Sequence, residues 1–236
     1  MHNVSMEDPV VYAPESQPPY IYPPYRSSLN RGPRQAPIPI TPTSTESSGP
    51  DFSAALPETA DLTGGHRGAP IGERIIVTGQ ISDAGGRSVP HTVLELWQCN
   101  AAGRYRHVND QHDAPLDPNF TGSGRLRADS TGRFRFVTIR PGAYPWRNHP
   151  NAWRPAHIHF SLLGPAFANR LVTQMYFPGD PLLAFDPIFH SVSNHAARDR
   201  LVARFDHARA EPEYALAYRF DIVLNGPAAT PWQTPP

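Results

Sequence analysis

Proline holds 29 of the 236 positions and crowds the stretch from Pro9 to Pro70, which disfavours regular helix in the N-terminal part of the chain. Runs such as Pro18-Pro19-Tyr20-Ile21-Tyr22-Pro23-Pro24-Tyr25 and Ile38-Pro39-Ile40-Thr41-Pro42 favour extended or polyproline-like backbone and build no core of their own. Their Tyr and Ile content is too high for a purely solvating linker. Residues 1–70 therefore read as an extended arm that gains by lying on another surface, that of a partner.

From Gly72 the texture changes to short β-rich runs between turns. Strands are expected over 74–81 and 92–98, separated by the turn Asp83-Ala84-Gly85-Gly86. Asp129-Ser130-Thr131-Gly132 introduces another over 133–139, where Phe134 and Phe136 alternate with polar neighbours. Further strands are expected over 156–162, 171–177 and 217–224. The spacing predicts a mainly β domain over 71–226, an antiparallel β-sandwich with long loops, followed by a short tail over 227–236. One helix fits 196–205, with Asn194 as its cap and Leu201 and Phe205 on one face. Gly122-Ser123-Gly124 reads as a loop, without the strand-to-helix setting of a phosphate cradle.

Bulk properties narrow the chemistry. Twenty-one basic residues balance twenty-one acidic ones, so no net field draws in nucleic acid or an anionic membrane, and neither is an expected partner. No secretory leader stands out and no run of about eighteen apolar residues occurs, so a cytoplasmic protein is expected. Cys99 is the single cysteine, which excludes an internal disulfide framework and a Cys-rich zinc site; it reads as a small core residue.

The chemistry concentrates in Trp153-Arg154-Pro155-Ala156-His157-Ile158-His159-Phe160. On a strand, His157 and His159 project from one face, either as a chelating pair or as hydrogen-bonded core histidines. Arg154 and Pro155 stiffen the entry and bring a fixed cation close. Tyr144 lies a short way upstream, near enough to return on a hairpin. A phenol must lose a proton of pKa about 10 before it binds a metal well. Tyrosines beside two histidines therefore point to ferric iron more than to zinc, and no carboxylate stands near the pair in sequence to complete an Fe(II) triad.

The runs Gly103-Arg104-Tyr105-Arg106-His107, Pro115-Leu116-Asp117-Pro118-Asn119-Phe120, Tyr144-Pro145-Trp146-Arg147-Asn148 and Trp153-Arg154-Pro155-Ala156-His157-Ile158-His159 closely resemble the intradiol ring-cleavage dioxygenases. The likeness continues through Leu171-Val172-Thr173-Gln174-Met175-Tyr176-Phe177, Gly179-Asp180-Pro181 and 216–224, and reaches back to Pro33-Arg34-Gln35-Ala36. It spans most of the chain from about residue 26 to 226, and is narrower still to the β chain of the family's two-chain members.

The resemblance implies a prealbumin-like sandwich holding one non-haem Fe(III) per chain. Tyr105 and His157 would be equatorial ligands, Tyr144 and His159 axial ones, with Tyr144 released when substrate binds. It assigns Arg154 to charge stabilisation, Gln174 to hydrogen bonding beside the site, and Trp146, Tyr176 and Ile188 to the pocket wall. It further implies ring cleavage between hydroxylated carbons: protocatechuate and dioxygen give 3-carboxy-cis,cis-muconate, within the β-ketoadipate route of aromatic catabolism. A homologous α chain would complete an αβ protomer within a larger hetero-oligomer. Relatives acting on catechol or hydroxyquinol carry a helical N-terminal region, against which the Pro-rich arm argues. A non-catalytic transthyretin-like binding module would have no reason to keep all four donors. His107, His112, His149 and His195 have no motif support and read as solvent-facing or locally hydrogen-bonded.

Overall fold

Period-two alternation becomes strand wherever a turn closes each end. The computed structural model describes residues 12–36, 38, 58–64, 67–150, 153–164 and 167–233. A short helix α1 (Arg26–Arg31) lies in the arm. The domain then runs through β1 (Arg74–Ser82), β2 (Val93–Trp97), β3 (Ser123–Arg127), β4 (Arg133–Ile139), β5 (Tyr144–Pro145), β6 (Trp153–Arg154), β7 (His157–Gly164) and β8 (Phe167–Tyr176). After β8 come a 3-10 turn (Pro181–Phe185), α2 (Pro187–His190), α3 (His195–Asp199), β9 (Arg204–Phe205), β10 (Leu216–Arg219) and β11 (Ile222–Val223). Among the described residues no helix is long and apolar enough to cross a membrane.

Two sheets enclose the core. One has the order β3-β2-β7-β8, antiparallel throughout. The other centres on β1, with β4 antiparallel on one side and β10, then β11, on the other. The expected β-sandwich is present, with one departure from antiparallel pairing: β1 pairs parallel with both β10 and β11. The chain leaves β8 in one sheet and reaches β10 in the other through two helices and β9. Such a crossover admits a parallel neighbour, which a hairpin cannot.

Between the sheets pack Ile75 and Val77 of β1, Leu94 and Leu96 of β2, Phe134 and Phe136 of β4, and Ile158, Phe160 and Leu162 of β7. Strand β7 is buried on both faces apart from half-buried Leu163. Its even positions fill the core, so His157, His159 and Ser161 face the other way, into a second buried layer. That layer is the site.

Other expectations shift in detail. Asn194 does cap a helix, its side chain accepting from Ala197 N, but α3 stops at Asp199. Tyr176 N donates to Leu201 O and Ala203 N to Tyr176 O, so the end of β8 captures the segment before the helix can continue. Leu201 is buried, whereas Phe205 stands exposed in β9. β3 begins inside the expected loop, at Ser123. Gly124 is needed there because a Cβ would meet Thr59 O and Leu62 at 2.8 Å.

The arm, where described, lies on its own domain. Asn194 N donates to Glu15 O, Arg26 N to Asn148 O and Ser27 N to Asn148 Oδ1, while the Tyr12 ring meets Trp232 edge-on at 5.1 Å. Asp61 bridges to Val137 and Leu62 enters the core, so 58–64 belong to the sandwich. Residues 1–11, 37 and 39–57 lie outside the described residues.

Candidate metal centre

Three separate segments deliver the four donors. His157 and His159 stand two apart on β7 with ring centroids 4.8 Å apart. Their neighbours are set by register: Tyr176 opposite His157, and Gln174 and Trp97 on either side of His159. The Trp97 indole stacks flat on His159 at 4.8 Å and 7°. His157 Nδ1 lies 2.7 Å from Pro155 O and His159 Nδ1 lies 3.1 Å from Gln233 Oε1. Both acceptors require a proton on Nδ1, which leaves each Nε2 with a lone pair able to accept, from Arg154 Nη1 at His157 and from Tyr105 Oη at His159, or to bind a metal ion. Burial, then the Arg154 cation, holds the His157 imidazole well below its ordinary pKa and lowers His159 to about 3, so both rings are neutral.

Tyr105 arrives from the loop after β2. Asn100 Oδ1 accepts from Ala102 N and Arg104 N, and Asp110 Oδ2 accepts from Tyr105 N at 2.6 Å, which winds the loop tightly. Gly103 adopts φ +77°, and a Cβ there would lie 2.2 Å from Ala143 O. That close approach brings the two tyrosine segments together. The Tyr105 and Tyr144 rings meet edge-on at 5.3 Å, and Tyr105 Oη lies 3.3 Å from His159 Nε2. Tyr144 sits on β5 opposite Arg154 of β6, so the expected hairpin exists and pairs the tyrosine with the arginine. Burial raises both phenol pKa values, Tyr105 the more strongly.

Arg154 is 2% exposed and reaches most of the cluster. Its Nη1 lies 3.0 Å from His157 Nε2 and 3.4 Å from Tyr144 Oη; Nη2 donates to Gln174 Oε1 at 2.7 Å and Tyr176 Oη at 3.0 Å. Burial works against this cation, but Asp186, with the Tyr144 and Tyr176 phenols, holds it charged. Gln174 Nε2 is a buried amide donor with no hydrogen-bond partner among the described residues. Trp146 lies over the guanidinium at 5.2 Å and against Tyr25 at 5.4 Å. Ile188 is buried beside Asp186, which caps its N–H.

All nine residues singled out from the sequence thus lie in or next to one buried cluster. Sequence reasoning missed Asp186, Trp97 and Gln233. Asp186-Pro187 carries a helix-start signal that could have marked the first. Gln233 offers no signal at all, since it comes from the expected tail, which Gln233 N to Val172 O and Thr173 Oγ1 to Pro231 O tie back to β8. Of the unsupported histidines, His149 is buried against Trp146 rather than solvent-facing. Cys99 is buried with its pKa pushed up to about 12 by desolvation, which fits a core residue. Among the described residues no three His, Cys, Asp or Glu side chains gather as a metal site, so a chelate here must draw on the phenols.

A family model described as "Dioxygenase" matches residues 47–226, and one described as "Protocatechuate 3,4-dioxygenase beta subunit N terminal" matches residues 13–43. The chain belongs to the intradiol ring-cleaving dioxygenases, a family that generally uses non-haem iron. Within that class it is 55% identical over 235 residues to the protocatechuate 3,4-dioxygenase beta chain of Burkholderia cepacia, covering 97% of this chain and 100% of the relative. It is also 29% identical to the protocatechuate 3,4-dioxygenase alpha chain of Pseudomonas putida, over 67% of this chain and 75% of that one. The solved 3-chlorocatechol 1,2-dioxygenase from Rhodococcus opacus 1CP superposes with a TM-score of 0.55 at 26% identity, covering 75% of this chain and 71% of that chain. The N-terminal match begins well before Arg26, so the likeness extends further into the arm than its motifs suggest.

Proposed function

We propose that this chain is the iron-bearing β chain of a protocatechuate 3,4-dioxygenase, with one Fe(III) per chain, acting beside a homologous α chain in an αβ protomer and a larger hetero-oligomer. Protocatechuate and dioxygen become 3-carboxy-cis,cis-muconate, with both oxygen atoms retained. The observation that carries this reading is the convergence of Tyr105, Tyr144, His157 and His159 in one cluster, with Arg154 Nη1 against Tyr144 and His157. Identity of 55% to a β chain supports the choice of substrate and partner.

The donor chemistry fits the ion. Two neutral imidazoles keep their Nε2 lone pairs, and two phenols stay protonated through burial until a strong cation draws the proton away. Ferric iron would supply that Lewis acidity, and the electron-accepting character that makes a bound catechol dianion reactive towards dioxygen. The protein's own work is positional. β7 carries both imidazoles on a strand locked by the core behind it. Tyr144 Oη, within reach of Arg154 and Tyr105, could accept a proton from an arriving catechol hydroxyl once its own has been drawn off, and keep it inside the cluster. The Gln174 amide nitrogen, without a partner among the described residues, is free to donate to substrate or oxygen. Trp146, Tyr176 and Ile188 exclude water, which strengthens every electrostatic contact inside.

The test is co-expression with the homologous α chain. A red-brown tyrosinate-to-iron band, iron at one per β chain and oxygen uptake fastest with protocatechuate are expected. A colourless complex loaded with zinc overturns the iron assignment, and faster uptake with catechol or hydroxyquinol overturns the substrate. A further expectation concerns the tail: Gln233→Leu removes the acceptor that sets the His159 tautomer, so iron should be lost to a chelator about 10–100-fold more readily. Equal release rates in variant and wild type would remove Gln233 from the site.

A further inference from the structure

Arg154 has more bonds than an isolated catalytic cation needs, and their distribution is uneven. Asp186 Oδ2 accepts from Nε at 3.1 Å and from Nη2 at 2.7 Å, closing one edge of the guanidinium. Nη2 is further committed to Gln174 Oε1 and Tyr176 Oη. Only Nη1 is turned towards the donor cluster, where it meets His157 Nε2 and Tyr144 Oη.

Asp186 is itself fixed independently of the arginine. It lies between the 3-10 turn and α2, it is 0% exposed, and its Oδ1 accepts from Ile188 N at 2.8 Å as the helix cap. Its carbonyl also accepts from His190 N. The carboxylate is therefore held by backbone at one oxygen and holds the guanidinium at the other. It also brings a second buried charge, so Arg154 and Asp186 together add none to the cluster.

We propose that Asp186 is the positioning residue of this site: it dictates which nitrogen of Arg154 faces the reacting atoms, cancels the arginine's charge, and fixes Ile188 with the same carboxylate. Arg154 then works as a directed hydrogen-bond donor rather than as a free cation. This inference rests on the iron reading above. A guanidinium released from its carboxylate can turn about its last side-chain bonds and leaves an unbalanced positive charge beside Tyr144.

The experiment uses the co-expressed α–β complex with Asp186→Asn, which keeps a cap oxygen for Ile188 and loses the charge. The four donors remain, so iron content should stay at the wild-type level. Misdirection of Nη1 should lower kcat about a hundredfold with little change in KM. The unbalanced cation stabilises the Tyr144 phenolate, so the charge-transfer band should move to shorter wavelength. If that variant does not fold, Asp186→Ser, smaller and still able to cap, is expected to give the same fall and the same shift. An iron-replete variant with unchanged kcat and band overturns the proposal, as does activity lost only in proportion to lost iron. A wild-type complex without the band instead overturns the iron reading, before any variant is compared.

Discussion

His157→Ala is expected to abolish iron binding and ring cleavage while leaving the sandwich folded. The imidazole is 1% exposed, its Nδ1 is tied to Pro155 O at 2.7 Å, and its Nε2 faces the centre of the cluster. No third described His, Cys, Asp or Glu joins His157 and His159 there to replace it. Loss of a partner to a ligand costs about 10–100-fold in metal affinity, and loss of the ligand itself should cost more, so iron should fall to about a tenth of wild type or below. The fold should survive because β7 is held from its other face by Ile158, Phe160 and Leu162. One buried hydrogen-bond donor, Arg154 Nη1, loses a partner, at about 1–3 kcal/mol. Metal analysis and the visible spectrum read the first effect, and circular dichroism with thermal melting reads the second. Full iron in a folded His157→Ala protein would remove His157 from the ligand set.

Phe160→Ala should produce the opposite division: a large loss of stability with the four donors intact. The Phe160 ring is fully buried, 5.2 Å from Phe220, 5.9 Å from Phe136 and 6.1 Å from Phe134. Truncating such a ring costs about 3–5 kcal/mol in lost transfer energy and cavity. For a chain of this size that lowers Tm by about 10 °C. Because Phe160 follows His159 on the same strand, iron release should also quicken while the band of the loaded protein stays in place. An unchanged melting temperature would show that this aromatic cluster does not anchor β7.

The sequence was most legible where a pattern was local. The Phe134 and Phe136 alternation marked β4, and the His157, His159 spacing correctly put both rings on one face, because side-chain direction in a strand depends only on parity. It was least legible where the chain had to choose among distant partners. The parallel pairing of β1 with β10 and the capture of 201–203 by the end of β8 follow from long-range hydrogen bonds that no local window contains. The stretch 12–32, read as an arm seeking a partner's surface, finds part of that surface on its own domain, at Asn148, Trp146 and Trp232.

The sequence by itself determined the chemistry. Two phenols and two imidazoles in ordered motifs, with a guanidinium beside them, are the donor types that suit the proposed ferric ion, since ligand preference belongs to residue type and not to conformation. The tertiary structure alone decided how that set is held. Asp186 reaches Arg154 across 32 positions and Gln233 reaches His159 across 74, and neither partner is written near its target. Tautomer, guanidinium orientation and charge balance depend on distances and angles between atoms, which exist only after the sheets have closed and water has left the layer between β7 and the loops above it.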